Sequence, residues 1–272
     1  MREENKELYI TAPDQKEAIE RLVGIVAVLR RECPWDKVQT HETLKKPMLE
    51  EAYEVVDAIN KKDTENLREE LGDVLLQVVF HSLLSAEEGA FELTDVINDE
   101  CEKMIRRHPH IFSEESAKSV DKVIEKWENI KGREHQEQSY TDRLKRVPVA
   151  LPALMRSEKV QSRAARIGFD WEDASGAFGK LEEEMGELRE AYESGDSASV
   201  LEEFGDLLFS MVNVSRFLDI NPEEALNGCT EKFIRRFEYM EKSAVSEGRS
   251  LDDMTLEEMD KLWVEAKGIE YR

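Results

Sequence analysis

Two stretches decide how this chain folds: Leu49-Glu50-Glu51-Ala52-Tyr53-Glu54 and, after a polar break, Glu70-Leu71-Gly72-Asp73-Val74-Leu75. Glu70 follows Glu54 by 16 positions and Asp73 follows it by 19. The pattern returns 133 positions later as Glu183-Glu184-x-x-Glu187 and Glu203-x-x-Asp206, with the same two spacings. A merely solvated acidic surface has no reason to keep this register through stretches whose other residues differ. Each copy holds its carboxylates in place for a purpose.

Around the acids the helical period dominates. Leu49, Ala52, Tyr53, Val56 and Ile59 recur at one-turn intervals, and Leu71, Val74, Leu75, Val78 and Val79 do the same in the next segment. Asn60-Lys61-Lys62-Asp63 between them suits a helix–helix turn. In the second copy Leu181, Leu188 and Ala191 precede the turn Ser194-Gly195-Asp196-Ser197, and Leu207, Leu208, Met211 and Val212 follow it. No stretch alternates with period two, and 13 Gly and 7 Pro in 272 residues leave little turn material. The expected fold class is all-α.

Downstream pairs extend the repeat. Lys103 and Arg107 match Lys232 and Arg236 at an offset of 129, and Trp127 and Lys131 match Trp263 and Lys267 at 136. Short loop insertions account for the drift. The expectation is a tandem duplication of helical-bundle domains, 1–134 and 151–272, joined by a polar linker over 135–150.

A net charge of −23 argues against nucleic-acid polymers, which require a basic footprint. It does not exclude a mononucleotide, because a divalent ion can bridge carboxylates and phosphates. Cys33, Cys101 and Cys229 form no close pair and suit a reducing compartment. No apolar segment follows the charged N-terminus, and the longest uncharged run of the first half, Val74 to Ala86, is too short for a membrane span. A cytoplasmic protein with no membrane partner is expected.

On a helical wheel Glu70 and Asp73 share one edge. The helix after them carries no Asp, Glu, Lys or Arg from Val74 to Ala86, and its counterpart carries none from Leu207 to Ser215. Such helices belong in a bundle interior, so their acidic ends lose hydration. Glu51 and Glu54 line the edge of the helix folded back against them. Converging carboxylates repel one another unless a cation compensates, and an all-oxygen donor set suits a hard divalent ion, Mg²⁺ above all. One acidic run alone would be an ordinary solvated face; its repetition with the ExxD pair tips the balance. Di-iron bundles need Glu-x-x-His pairs, and none of the five histidines has Glu three residues before it. His108-Pro109-His110 reads as the end of a helix, and the second half has no histidine from position 136 onward.

With these residues in hand, the chain resembles the all-α nucleoside triphosphate pyrophosphohydrolases, and its tandem arrangement is similar to that of the MazG family. Cys33-Pro34-Trp35-Asp36, Arg107-His108-Pro109-His110-Ile111-Phe112, Gly168-Phe169-Asp170-Trp171 and Leu262-Trp263-Val264-Glu265-Ala266-Lys267 add to the likeness, which runs from about Ala18 onward. The resemblance implies Mg²⁺-dependent hydrolysis between the α- and β-phosphates of a nucleoside triphosphate, yielding monophosphate and pyrophosphate. A homodimer whose subunits jointly build each site is implied as well. By position, Glu184, Glu187, Glu203 and Asp206 match the family's Mg²⁺ ligands, with Glu51, Glu54, Glu70 and Asp73 as their counterparts in the first half. Lys180, Lys232, Arg236, Trp263 and Lys267 match nucleotide-contacting positions, and Glu183 is the candidate to orient or deprotonate the water.

The residue types suit those roles. Lys232 and Arg236 share a helix face and can hold phosphate oxygens. Trp263 can stack on a base or serve as a core anchor. The position matching Lys180 in the first half is Pro47, which makes the second half the expected main catalytic site. Two other readings stand beside the hydrolase. One is a non-catalytic nucleotide-sensing or partner-binding helical protein; the other is a hydrolase for a narrower substrate such as a modified nucleotide.

Overall fold

The computed structural model describes residues 3–113, 119–134 and 139–270. Met1, Arg2 and residues 135–138 of the expected linker lie outside the described residues. Among those described there are helices and no strands. The chain divides into two compact units, Met1–Lys131 and Gly132–Arg272.

The first unit contains α1 (Gln15–Glu32), α2 (Lys45–Lys61), α3 (Thr64–Glu87), α4 (Leu93–Arg107), the one-turn α5 (Pro109–Phe112) and most of α6 (Val120–Glu134). α2 and α3 form a hairpin. Lys62 ends α2 in the left-handed region at φ 56°, and Asp63 starts α3 by accepting from the amides of Glu65 and Asn66. α1 and α4 pack on α3. Val26, Leu44, Val79, Phe80 and Leu84 form the core between them, with Leu22, Leu76 and Leu93 around it. Arg30 fixes the loop after α1: its Nη1 donates to the carbonyls of Asp36, Lys37 and Gln39 while Nε and Nη2 grip Glu87.

The second unit contains α7 (Tyr140–Lys145), α8 (Ala153–Ala165), α9 (Ala174–Ser194), α10 (Ser197–Phe217), α11 (Pro222–Ser246) and α12 (Leu256–Glu270). α9 and α10 repeat the hairpin, with Gly195 in the left-handed region at φ 76° and Asp196 capping α10. α8 packs on α10 and α11, and α12 pairs with α11. Ala177, Ala191, Leu207, Val212 and Val214 are buried within the hairpin, and Met240, Ala244, Leu262 and Ala266 belong to the α11–α12 pair. The stretch 135–150 contains α7, which packs on α8, and the buried Val147. No helix of the described residues is long and apolar enough to cross a membrane.

The apolar stripe on α2 is not covered as its period suggests. Leu49, Tyr53, Val56 and Ile59 are all exposed, and Ala58 is the buried residue of that helix. The uncharged helices are also only partly enclosed. α3 buries Gln77, Val79, Phe80 and Leu84 but exposes Leu71 and Leu75, and α10 exposes Leu201, Phe204, Leu208 and Met211. Periodicity marks a face that avoids water; whether the chain itself supplies the cover depends on how many helices surround the hairpin.

Candidate functional site

Both hairpins bring their acids together near the turn. In the second unit one carboxylate oxygen each from Glu184, Glu187 and Glu203 lie within 4.8 Å of one another. In the first, Glu51, Glu70 and Asp73 do the same. In the second unit two of these acids lie on α9 and one on α10, in the first one lies on α2 and two on α3, so the antiparallel hairpin sets this geometry. Asp206, one turn after Glu203, adds its charge to that carboxylate, and Glu54 crowds its own against both Glu51 and Glu70.

The electrostatics reflect this crowding. Desolvation first, then the neighbouring Glu184 and Asp206, holds Glu203 above the usual carboxylate range. Glu187 is raised by desolvation and Glu184, with Lys180 pulling the other way. Glu51 is raised by burial, Asp73 and Glu54, and Glu70 by desolvation, Glu54 and Asp73. Carboxyls that hold protons unusually tightly, in an all-oxygen set with Glu184 only 5% exposed, fit a divalent cation.

The two sites differ in one cation. Lys180 Nζ lies 2.8 Å from Glu183 Oε1 and 2.7 Å from Glu184 Oε1, and these bonds raise its pKa above the ordinary lysine value. In the first unit Pro47 occupies that position, and Lys46 instead pairs at 3.0 Å with the outer Glu50.

The remaining expected residues lie on the α11–α12 pair. Arg236, 8% exposed, places its guanidinium 5.5 Å from the centre of the Trp263 ring, and Phe233 meets the same ring at 5.0 Å. Lys232 is half-buried one turn before Arg236, and Lys267 is exposed one turn after Trp263. In the first unit Trp127 holds Arg107 at 5.2 Å and Lys131 at 5.0 Å, while Lys103 pairs with Glu100. Both tryptophans thus have a cation against the ring. His108 is the cap residue at the end of α4, its Nδ1 donating to the Met104 carbonyl.

Sequence reasoning passed over Gln161, a buried glutamine on α8 whose amide reaches the Phe209 carbonyl at 2.8 Å. It also passed over Asn213, bonded to Arg216, which forms a two-bond pair with Asp170.

A family model described as "MazG nucleotide pyrophosphohydrolase domain" matches residues 39–112 and 177–240. These segments contain both acid sets and both Lys/Arg pairs. The nucleoside triphosphate pyrophosphohydrolase/pyrophosphatase MazG of Thermotoga maritima is 45% identical over 251 residues, covering 92% of this chain and 95% of that protein. The nucleoside triphosphate pyrophosphohydrolase of Escherichia coli K12 is 42% identical over 256 residues, 92% of this chain and 97% of its own. An uncharacterized Bacillus subtilis protein, YabN, is 49% identical over 241 residues, 88% of this chain and 49% of its own. With the domain matched twice and two such relatives aligned nearly end to end, the chain belongs to the MazG nucleotide pyrophosphohydrolase family.

Proposed function

We propose that this protein hydrolyses nucleoside triphosphates between the α- and β-phosphates, giving a nucleoside monophosphate and pyrophosphate, and that its main catalytic site is in the second unit. The convergence of Glu184, Glu187 and Glu203 beside Lys180 carries this reading. Mg²⁺ is the ion these acids, with Asp206, would hold; when bound it supplies neutralisation of the triphosphate and of the departing pyrophosphate.

This chain's residues do the rest. Lys180 exchanges its carboxylate partners for a phosphate oxygen as substrate enters, a swap its position between Glu183 and Glu184 allows. Arg236, held against Trp263, and Lys232 receive further phosphate oxygens, with Lys267 at the outer edge. Glu183, freed by Lys180, orients the attacking water and accepts its proton. The water oxygen bonds to the α-phosphorus, the bond to the bridging oxygen breaks, and pyrophosphate leaves with that electron pair.

The exposed stripe of Leu201, Phe204, Leu208 and Met211 on α10 supports a homodimer, since it is wide enough to need cover. Three unpaired cysteines suit the cytoplasm. The first unit keeps an acid set but lacks a counterpart of Lys180, which supports a weaker or structural role. Product analysis after incubation with each common nucleoside triphosphate and Mg²⁺ tests the proposal. Monophosphate and pyrophosphate, lost in Glu187→Ala, are expected. Nucleotide binding without turnover would replace the hydrolase by a sensor.

A further inference from the structure

Two of the five histidines meet in the first unit, eight residues beyond Asp73 on α3, about 12 Å along the helix axis. His41, in the loop ahead of α2, places its Nδ1 2.7 Å from the Nδ1 of His81, with the rings stacked 5.0 Å apart. The Nε2 of His41 lies 3.3 Å from the hydroxyl of Ser85, one turn further along α3 and 3% exposed. At the repeat offset of 133 the second unit has Ala174, Val214 and Leu218 in these three places. The pair belongs to one half alone.

A hydrogen bond fits 2.7 Å better than a shared metal ion does. Two imidazole nitrogens on a tetrahedral zinc would stand about 3.3 Å apart, given bonds of about 2.0–2.1 Å. Neither histidine belongs to a metal-competent group among the described residues. At this distance the line between the two Nδ1 atoms holds one proton, with one ring donating and the other accepting. Neutral, or with a single positive charge, the pair keeps that bond. A second charge turns N–H against N–H and stacks one cation on another.

The charges around the pair are committed elsewhere. From α1, Arg30 holds the carbonyls of Asp36, Lys37 and Gln39 and grips Glu87 of α3. Glu42 pairs with Lys45 at the start of α2. α4 sets Leu93 against the core, while Glu92 and Asp95 close the cap of that helix. His81 is held below the ordinary histidine range by burial first and by His41 second, and no carboxylate counters these causes. The loop itself matters to the fold. Leu44, three residues after His41, is the cap residue of α2 and belongs to the core at 2% exposure.

We propose that His41 and His81 form an acid-operated latch: sharing one proton they pin the start of α2 to α3, and with both rings charged they part and free the loop 39–44. The folded pair binds fewer protons than the same histidines in an unfolded chain. Its contribution is therefore whole above the ordinary histidine range and is lost as pH falls through that range towards the lowered value of His81. The second half has no histidine from position 136 onward, and its Glu187 and Glu203 hold protons more tightly when folded. Mild acid thus loosens the first unit while it favours the second. The latch gives the duplicated chain a response to pH confined to one of its halves.

The test uses the full chain with ¹⁵N-labelled histidine and long-range proton–nitrogen correlation spectra, assigned through His41→Gln and His81→Val. Near pH 8 one of the two rings should carry its proton on Nδ1, the rarer form of a neutral imidazole. Both rings protonated on Nε2 would overturn the shared proton. Hydrogen–deuterium exchange of the same chain, corrected for the intrinsic pH dependence, follows the release. Between about pH 8 and pH 5 the protection of 39–44 should fall about tenfold or more, with that of 197–217 kept. His81→Val, which places there the residue type of Val214, should make the protection of 39–44 independent of pH over this range. Unchanged protection in the parent chain, or an acid-induced loss that persists in His81→Val, overturns the latch.

Discussion

Lys180 Nζ stands 2.7 Å from Oε1 of Glu184, a carboxylate 5% exposed, and the equivalent position of the first half is Pro47. One ammonium thus distinguishes two acid clusters built on the same repeated sequence pattern. Lys180→Ala should have opposite effects on the two ligands. Without the lysine the carboxylates attract a divalent ion more strongly, and the triphosphate loses a cation. Calorimetry with Mg²⁺ alone should show tighter binding, while kcat/KM for ATP falls at least about tenfold. Weakened binding of both would show that Lys180 chiefly supports the fold.

The same asymmetry ranks the halves. Glu187→Ala should reduce turnover by about a hundredfold or more, as removal of a catalytic electrostatic group does. Glu54→Ala should leave most of it. Size-exclusion chromatography and circular dichroism should show both variants folded as the parent is. Comparable losses would mean that both sites work.

Stability should follow pH and metal together. Glu187 and Glu203 are held above the usual carboxylate range, so the folded state binds more protons there than the unfolded state. Stability without metal should therefore rise as pH falls from neutral through their raised folded values, and be lost again on returning to neutral. Mg²⁺ should raise Tm at pH near 7 and do so less near pH 5, where protons compete for the same oxygens. Glu258 works in the other direction: the Arg249 hydrogen bonds pull it down to about 2, and its contribution is lost only as pH falls below the ordinary range towards that value. A Mg²⁺-induced shift in Tm that does not depend on pH would place the ion elsewhere.

Two glycines of α9 should respond oppositely to the same substitution. A Cβ on Gly176 would lie 2.8 Å from the Trp171 ring, whereas one on Gly179 meets nothing within 4 Å. Gly179→Ala should stabilise by about 0.5–1 kcal/mol through helix propensity. Gly176→Ala should destabilise by about 1–3 kcal/mol through overpacking and increase the exposure of Trp171. Urea unfolding and tryptophan emission measure both.

Lys62 holds a left-handed conformation, φ 56° and ψ 32°, where the second hairpin uses Gly195. Lys62→Gly relieves the Cβ clash and should raise stability by about 0.5–1 kcal/mol, less the entropy added to the unfolded chain. A drop in the urea midpoint would contradict this account.

Local chemistry was legible in the linear chain. The period of Leu49, Tyr53 and Val56, the polar turns at Lys62-Asp63 and Gly195-Asp196, and the repeated acids specify helical hairpins with carboxylates near the turn, because helix geometry is set within a few residues. What only the tertiary structure decided depends on contacts distant in sequence. That Trp263 gathers Arg236 and Phe233 around its ring, from 27 and 30 residues away, is such a contact. Gln161 reaches Phe209 across 48 residues, and Arg216 reaches Asp170 across 46, links that no local period announces. The stripe on α2 shows the same limit from the other side. Hydrophobic periodicity says which face of a helix avoids water, but packing decides whether anything in the chain covers it.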